Sequence, residues 1–185
     1  FSPNIDMSPI LEFPHKDNKR EGGISIFKMP VKDSSGNVMR GRYISSVDPY
    51  DDDSSETLSL GALYVLDLYT DELVAEYVGR PMFAEEFYEN CRKLLLFYNA
   101  ECNYENNKKG LFKHFSQYNS LYLLSPTLDF LKEKQLMKEG LYGNKSYGTI
   151  ATEPIKTYAR RAIRDWLLKP RDITSVTTTE ERKKV

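Results

Sequence analysis

The order of periodicities along the chain predicts an α/β fold: a mixed central sheet with helices on both faces. Three observations carry that expectation. Extended, alternating segments come first and follow one another directly. From residue 83 onward the apolar spacing turns helical, then alternates between strand and helix. Proline, glycine and short acidic runs punctuate each change of period. Consecutive strands pair antiparallel, whereas a strand–helix–strand unit returns parallel, so one sheet should hold both kinds of pairing.

Taken in order, residues 1–22 carry Pro3, Pro9 and Pro14 and run into Lys16-Asp-Asn-Lys-Arg-Glu-Gly-Gly, the composition of a linker or extended arm. The remainder, 23–185, reads as one domain. Ile24-Ser-Ile-Phe-Lys alternates as a short strand, and Asp33-Ser-Ser-Gly-Asn is a turn that should join a hairpin. Arg42–Val47 is the first strong strand, stopped by Pro49 after Asp48, and it is expected at the centre of the sheet. Thr57–Leu68 and Glu72–Val78 read as strands about a tight turn at Tyr69-Thr-Asp. Phe83, Phe87, Cys91, Leu94, Leu95 and Tyr98 then share one face of a helix. Ala100–Tyr104 is the next strand, expected parallel to Arg42–Val47. A second helix from about Lys108 has Leu111, Phe112, Phe115 and Tyr118 as its apolar stripe, and Leu121–Leu124 reads as a short strand. Residues 126–150 are irregular. Thr152-Glu-Pro opens a third helix by N-cap and early-proline chemistry, with Ile155, Ala159, Ala162, Ile163, Trp166 and Leu167 on its buried face. Thr177-Thr-Thr-Glu is a capping box with little chain left to follow it.

Composition narrows the class. The 185 residues fit one domain; 40% hydrophobic and 29% charged content are ordinary for a globular protein, and thirteen Tyr with nine Phe point to an aromatic core. A net charge of −1 supplies no global attraction for nucleic acid, so any polyanion contact must be local. Cys91 and Cys102 fall in a helix and an apolar strand and read as reduced core thiols. His15 and His114 are too few for a histidine-rich zinc site, and no GxxxxGK[ST] phosphate loop or membrane-spanning run occurs.

Two acids stand apart. Asp48 closes Tyr43-Ile-Ser-Ser-Val-Asp, and Glu105 closes Ala100-Glu-Cys-Asn-Tyr-Glu. A carboxylate at a strand end has its backbone fixed by the ladder and its side chain at the sheet rim. Two such rims on adjacent strands make a hard-oxygen site for divalent cations, suited to phosphodiester hydrolysis. The alternative is that both are solvated turn residues.

The element order, with an acid ending strand one and another ending strand four, resembles the ribonuclease H-like fold. Val47-Asp-Pro-Tyr-Asp-Asp-Asp-Ser-Ser, Leu73-Val-Ala-Glu-Tyr-Val-Gly-Arg-Pro and Tyr98-Asn-Ala followed by Tyr104-Glu-Asn-Asn-Lys-Lys-Gly are together similar to the C-terminal nuclease domain of the large terminase subunit of tailed bacteriophages. Tyr147-Gly-Thr-Ile-Ala-Thr, with Lys156-Thr-Tyr-Ala-Arg-Arg, is similar to the stretch preceding that domain's late helix. The resemblance spans roughly residues 40 to 175.

That resemblance implies an endonuclease cutting concatemeric double-stranded DNA with two Mg²⁺ or Mn²⁺ ions, in the host cytoplasm. Its partners would be the terminase ATPase domain, the portal and the small terminase subunit, with no membrane. Asp48 matches the first acid and would bridge the metals; Glu105 matches the second. The third acid is expected on a helix beyond Val185, so these 185 residues should cut poorly. Of the loop Asp51, Asp52 and Asp53, one is a candidate further ligand, with Asp53 preferred; the alternative is a solvated acidic loop. Asn106 either orients Glu105 or caps the following helix. Lys108, Lys109, Lys113 and His114 are candidate phosphate contacts, and Arg160, Arg161 and Arg164 form a second basic stretch. Competing readings are another ribonuclease H-like enzyme of resolvase or transposase type, and an inactive module that docks on the packaging motor.

Overall fold

The computed structural model describes residues 7–11, 19–50, 59–134 and 147–169. The chain forms two compact units, residues 1–151 and 152–185. The first holds β1 (Gly23–Ile26), β2 (Tyr43–Asp48), β3 (Gly61–Asp67), β4 (Glu72–Gly79), α1 (Ala84–Tyr98), β5 (Glu101–Tyr104), α2 (Gly110–Gln117) and α3 (Asp129–Glu133). The second holds α4 (Glu153–Leu168).

The five strands form one mixed sheet in the order β1-β4-β3-β2-β5. β2 pairs antiparallel with β3 and parallel with β5, as the sequence order requires. β2 is interior but not central. β1 adds itself outside β4, which shifts the middle position to β3. The hairpin about Asp33 is correspondingly small. Asp33 Oδ1 accepts from the Ser35 and Asn37 amides at 2.9 Å each, and a single bridge, Lys32 to Val38, flanks the turn. The Asp71 turn between β3 and β4 has φ 57°, a left-handed position that Asp tolerates.

Alternation sorts the strand residues to two faces. Tyr43, Val47, Leu63, Val65, Ala75, Tyr77, Cys102 and Tyr104 are buried on one, where α1 and α2 pack. The aromatic content goes there: Tyr43, Tyr77, Tyr98, Tyr104, Phe87 and Phe115 are the largest fully buried side chains. Tyr98 Oη donates to the Lys28 carbonyl at 2.6 Å, whereas the buried Tyr104 hydroxyl has no hydrogen-bond partner among the described residues. Burial pushes the Cys102 thiol up to about 12, so both free cysteines behave as small apolar residues of the core. The other face carries Ile44 and Tyr64, both exposed. Among the described residues of the first unit, α1 and α2 pack on the face that carries this core.

Three further expectations change. Leu121–Leu124 is a 3-10 turn over Leu121–Leu123, and only Leu124 reaches the sheet, by a parallel bridge to Cys102. A four-residue apolar run carries no period long enough to separate the two. Phe83, expected in the core, is the exposed N-cap of α1. On α4 only Ile155 is buried, while Ile163 and Leu167 are exposed: the second unit offers no other described element for the stripe to pack on. No helix among the described residues is long and apolar enough to cross a membrane.

An ion-pair cluster ties α1 to α2. Glu89 accepts two hydrogen bonds from Arg92 at 2.8 Å each and faces His114 Nε2 at 3.1 Å. The Arg92 bonds, against burial and with help from His114, hold the Glu89 carboxyl at about 2 from an ordinary 4.5. Because the folded value lies below the unfolded one, the stabilisation is complete above pH 4.5 and is lost as pH falls toward 2. Glu89→Gln should therefore cost about 1–2 kcal/mol at neutral pH and flatten the loss of stability across that acid window. Urea unfolding of both proteins as a function of pH checks this.

Candidate metal centre

β2 and β5 bring the two acids together by register. Ile44 pairs with Glu101 and Val47 with Tyr104, and the Glu105 amide donates to the Val47 carbonyl at 3.1 Å. The next residues along the two parallel strands are Asp48 and Glu105. Since Val47 and Tyr104 point into the core, alternation puts Asp48 and Glu105 on the opposite face at the carboxyl ends of adjacent strands. Asn103 and Ser46, in register, form the row beside them on that face. Asp48 is exposed and Glu105 half-buried.

A clamp holds the Glu105 segment from the far side. Thr149 donates its amide to the Tyr104 carbonyl at 2.8 Å and accepts from the Asn106 amide at 2.9 Å, making a parallel bridge with Glu105. The Thr149 hydroxyl donates to Asn103 Oδ1 at 3.0 Å. Gly148 makes this approach possible: its φ is 70°, and a Cβ there would lie 2.6 Å from the Tyr104 carbonyl oxygen. Glu105 is thus gripped between β2 and the 147–149 segment, which is how a carboxylate is pre-positioned before any ligand arrives.

Neither role expected of Asn106 is the one it takes. Asn106 does not orient Glu105; its amide donates to the Tyr147 carbonyl at 2.6 Å, and its Oδ1 accepts from Lys109 Nζ at 2.8 Å. Nor does it cap α2, whose N-cap is Lys109 with no side-chain cap bond. Asn107 is the residue that holds the carboxylate, donating to Glu105 Oε1 at 2.7 Å. The sequence shows two adjacent asparagines, and only the turn geometry decides which one faces back.

Lys108, Lys109 and Lys113 are exposed, the first two within four residues of Glu105 along the chain. His114 is not among them: it is buried, and its Nε2 faces Glu89 at 3.1 Å. Asp51, Asp52 and Asp53 lie outside the described residues, as does everything after Lys169. Arg160, Arg161 and Arg164 are exposed on α4, with Arg160 within 4.0 Å of Glu153.

Two backbone-locked carboxylates on one sheet face fit a hard divalent cation. Among the described residues they are not joined by a third, since no group of three or more His, Cys, Asp and Glu side chains converges there. No protein-family description matches the sequence, and no curated protein matches it.

Proposed function

We propose that this chain is a divalent-metal-dependent DNA endonuclease module with a ribonuclease H-like sheet, of the kind that terminates genome packaging in tailed bacteriophages. The observation that carries the reading is the parallel β2–β5 pair, whose adjacent carboxyl ends bear Asp48 and Glu105 on one face. The sheet order supports it: β4-β3-β2 antiparallel, β5 parallel beside β2, and Leu124 parallel beyond β5, with β1 as an added edge.

Asp48 and Glu105 would hold Mg²⁺ or Mn²⁺, which when bound supplies an activated water and neutralises charge at the leaving oxygen. The chain's own residues do the rest. Asn107 fixes one Glu105 oxygen, and the Thr149 clamp fixes the backbone beneath it. Exposed Lys108 and Lys113 furnish positive charge for duplex phosphates, while Lys109 also braces the Asn106 turn. The partners in this reading are double-stranded DNA, the terminase ATPase domain, portal and small subunit, and the setting is the host cytoplasm.

Supercoiled plasmid and a four-way DNA junction, incubated with the protein and millimolar Mn²⁺ or Mg²⁺, test the proposal. Nicking and linearisation of unbranched duplex that stops in EDTA is the expected result. Cleavage confined to the junction would favour a resolvase, and cleavage that persists in EDTA would remove the metal mechanism altogether.

A further inference from the structure

The junction of β4 and α1 breaks a local rule. Helices are capped by Ser, Thr, Asp or Asn, yet α1 is capped by Phe83, which makes no side-chain cap bond and stands 52% exposed. Met82 before it is 72% exposed. Neither contributes to the core, and Phe83 forgoes about 1 kcal/mol that a polar cap would give the helix. Residues that cost stability without a compensating contact inside the fold mark surfaces used for something else.

Met82 and Phe83 do not stand alone. Together with Met7 (65% exposed) and Tyr118 (50% exposed) they line one open groove of about 640 Å³, formed by the N-terminal half of α1, the end of α2 and the Met7 segment. The same groove is lined by Glu21, Glu85 and Glu86, none of which has an ion-pair partner among the described residues. Glu89 at its floor is already matched by Arg92 and His114, and Lys93, also in the lining, lies 3.9 Å from it, which leaves the other three carboxylates in excess. Favourable interaction with the helix dipole explains Glu85 and Glu86 at the start of α1. It does not explain Met7, Met82 and Phe83 left in water beside them, next to the half-exposed Tyr118 ring.

We propose that this groove docks a cationic amphipathic segment of a partner protein, with apolar anchors against Met82, Phe83 and Tyr118 and lysines or arginines against Glu21, Glu85 and Glu86. The acidic rim repels nucleic acid and anionic lipid, and the groove is too open to enclose a small ligand, so a peptide segment is the occupant its chemistry fits. The docking surface is independent of Asp48 and Glu105, and it stands whether or not those residues hold a metal.

The test uses the whole chain and a short synthetic peptide of leucine and lysine at helical spacing, with a leucine–glutamate peptide as control. Saturable binding of the cationic peptide is expected, weakening with salt. Backbone amide shifts should centre on Met82–Lys93 and His114–Tyr118. The double substitutions Met82→Ser/Phe83→Ser and Glu85→Lys/Glu86→Lys should each weaken binding about tenfold. All four side chains are exposed, so both variants should melt near the parent temperature, and the charge variant keeps the test intact if the apolar one does not fold. Shifts centred on Asp48 and Glu105, equal binding of the acidic peptide, or affinity unmoved by both substitutions would each overturn the proposal.

Discussion

Asp48→Asn is expected to reduce metal-dependent cleavage of duplex DNA by more than about 100-fold, since even a residue that only orients a metal ligand is worth about 10–100-fold. Glu105→Gln should do the same. Both substitutions keep the shape and the ladder hydrogen bonds of β2 and β5, and remove only the charge that would hold a cation in the proposed site. Asp48 is exposed at the strand end, so the loss should come without a fall in melting temperature. Asn107→Ala, which removes one hydrogen bond to the Glu105 carboxylate without touching its charge, should fall between wild type and these variants. Plasmid cleavage across a Mn²⁺ titration, with thermal unfolding of each variant alongside, separates a lost ligand from a lost fold.

The largest effect on stability is expected at Phe87. Its side chain is fully buried, and its ring lies 5.2 Å from Tyr77 in a stacked arrangement, 5.3 Å from Tyr50 and 6.3 Å from Tyr88. It also fills the space above Gly61 on β3, where an added Cβ would come within 2.5 Å of the ring. Phe87→Ala should therefore cost about 3–5 kcal/mol, because the rigid rings around the void cannot collapse into it. Denaturant unfolding of the two proteins measures the difference. A loss under about 1 kcal/mol would mean that α1 is not held on the sheet by this cluster.

Much of the fold is legible in the sequence where local chemistry decides it. Pro49 ends β2, the left-handed Asn99 ends α1, and the 3.6 spacing of Phe87, Cys91, Leu94, Leu95 and Tyr98 identifies a face that is buried throughout. Long-range pairing is not encoded that way. Nothing in Ile24-Ser-Ile says that it will pair with β4, yet that pairing displaces β2 from the centre of the sheet. Phe83 continues the apolar spacing of α1 but falls before its first turn, where a side chain projects away from the core. α3, a five-residue helix directly after Pro126-Thr-Leu, is too short for any period to register.

The candidate site divides along the same line. Strand ends can be read from sequence, so Asp48 and Glu105 stand out, and the parallel pair puts them side by side. That Asn107 rather than Asn106 reaches Glu105 cannot be read, because it depends on Thr149 and Tyr147 arriving more than forty residues later to engage Asn106. His114 sits within a basic sequence neighbourhood, but the helical turn points it inward to Glu89.

The central claim is that Asp48 and Glu105 share one cation site, and calorimetric titration of Mn²⁺ into the protein tests it without requiring turnover. The account predicts a saturable binding isotherm that Asp48→Asn and Glu105→Gln each abolish, with the double variant no worse than either single one, because both carboxylates serve the same ion. Binding that survives both substitutions, or that each reduces independently and additively, would mean that the two acids do not form a common site and would contradict the account.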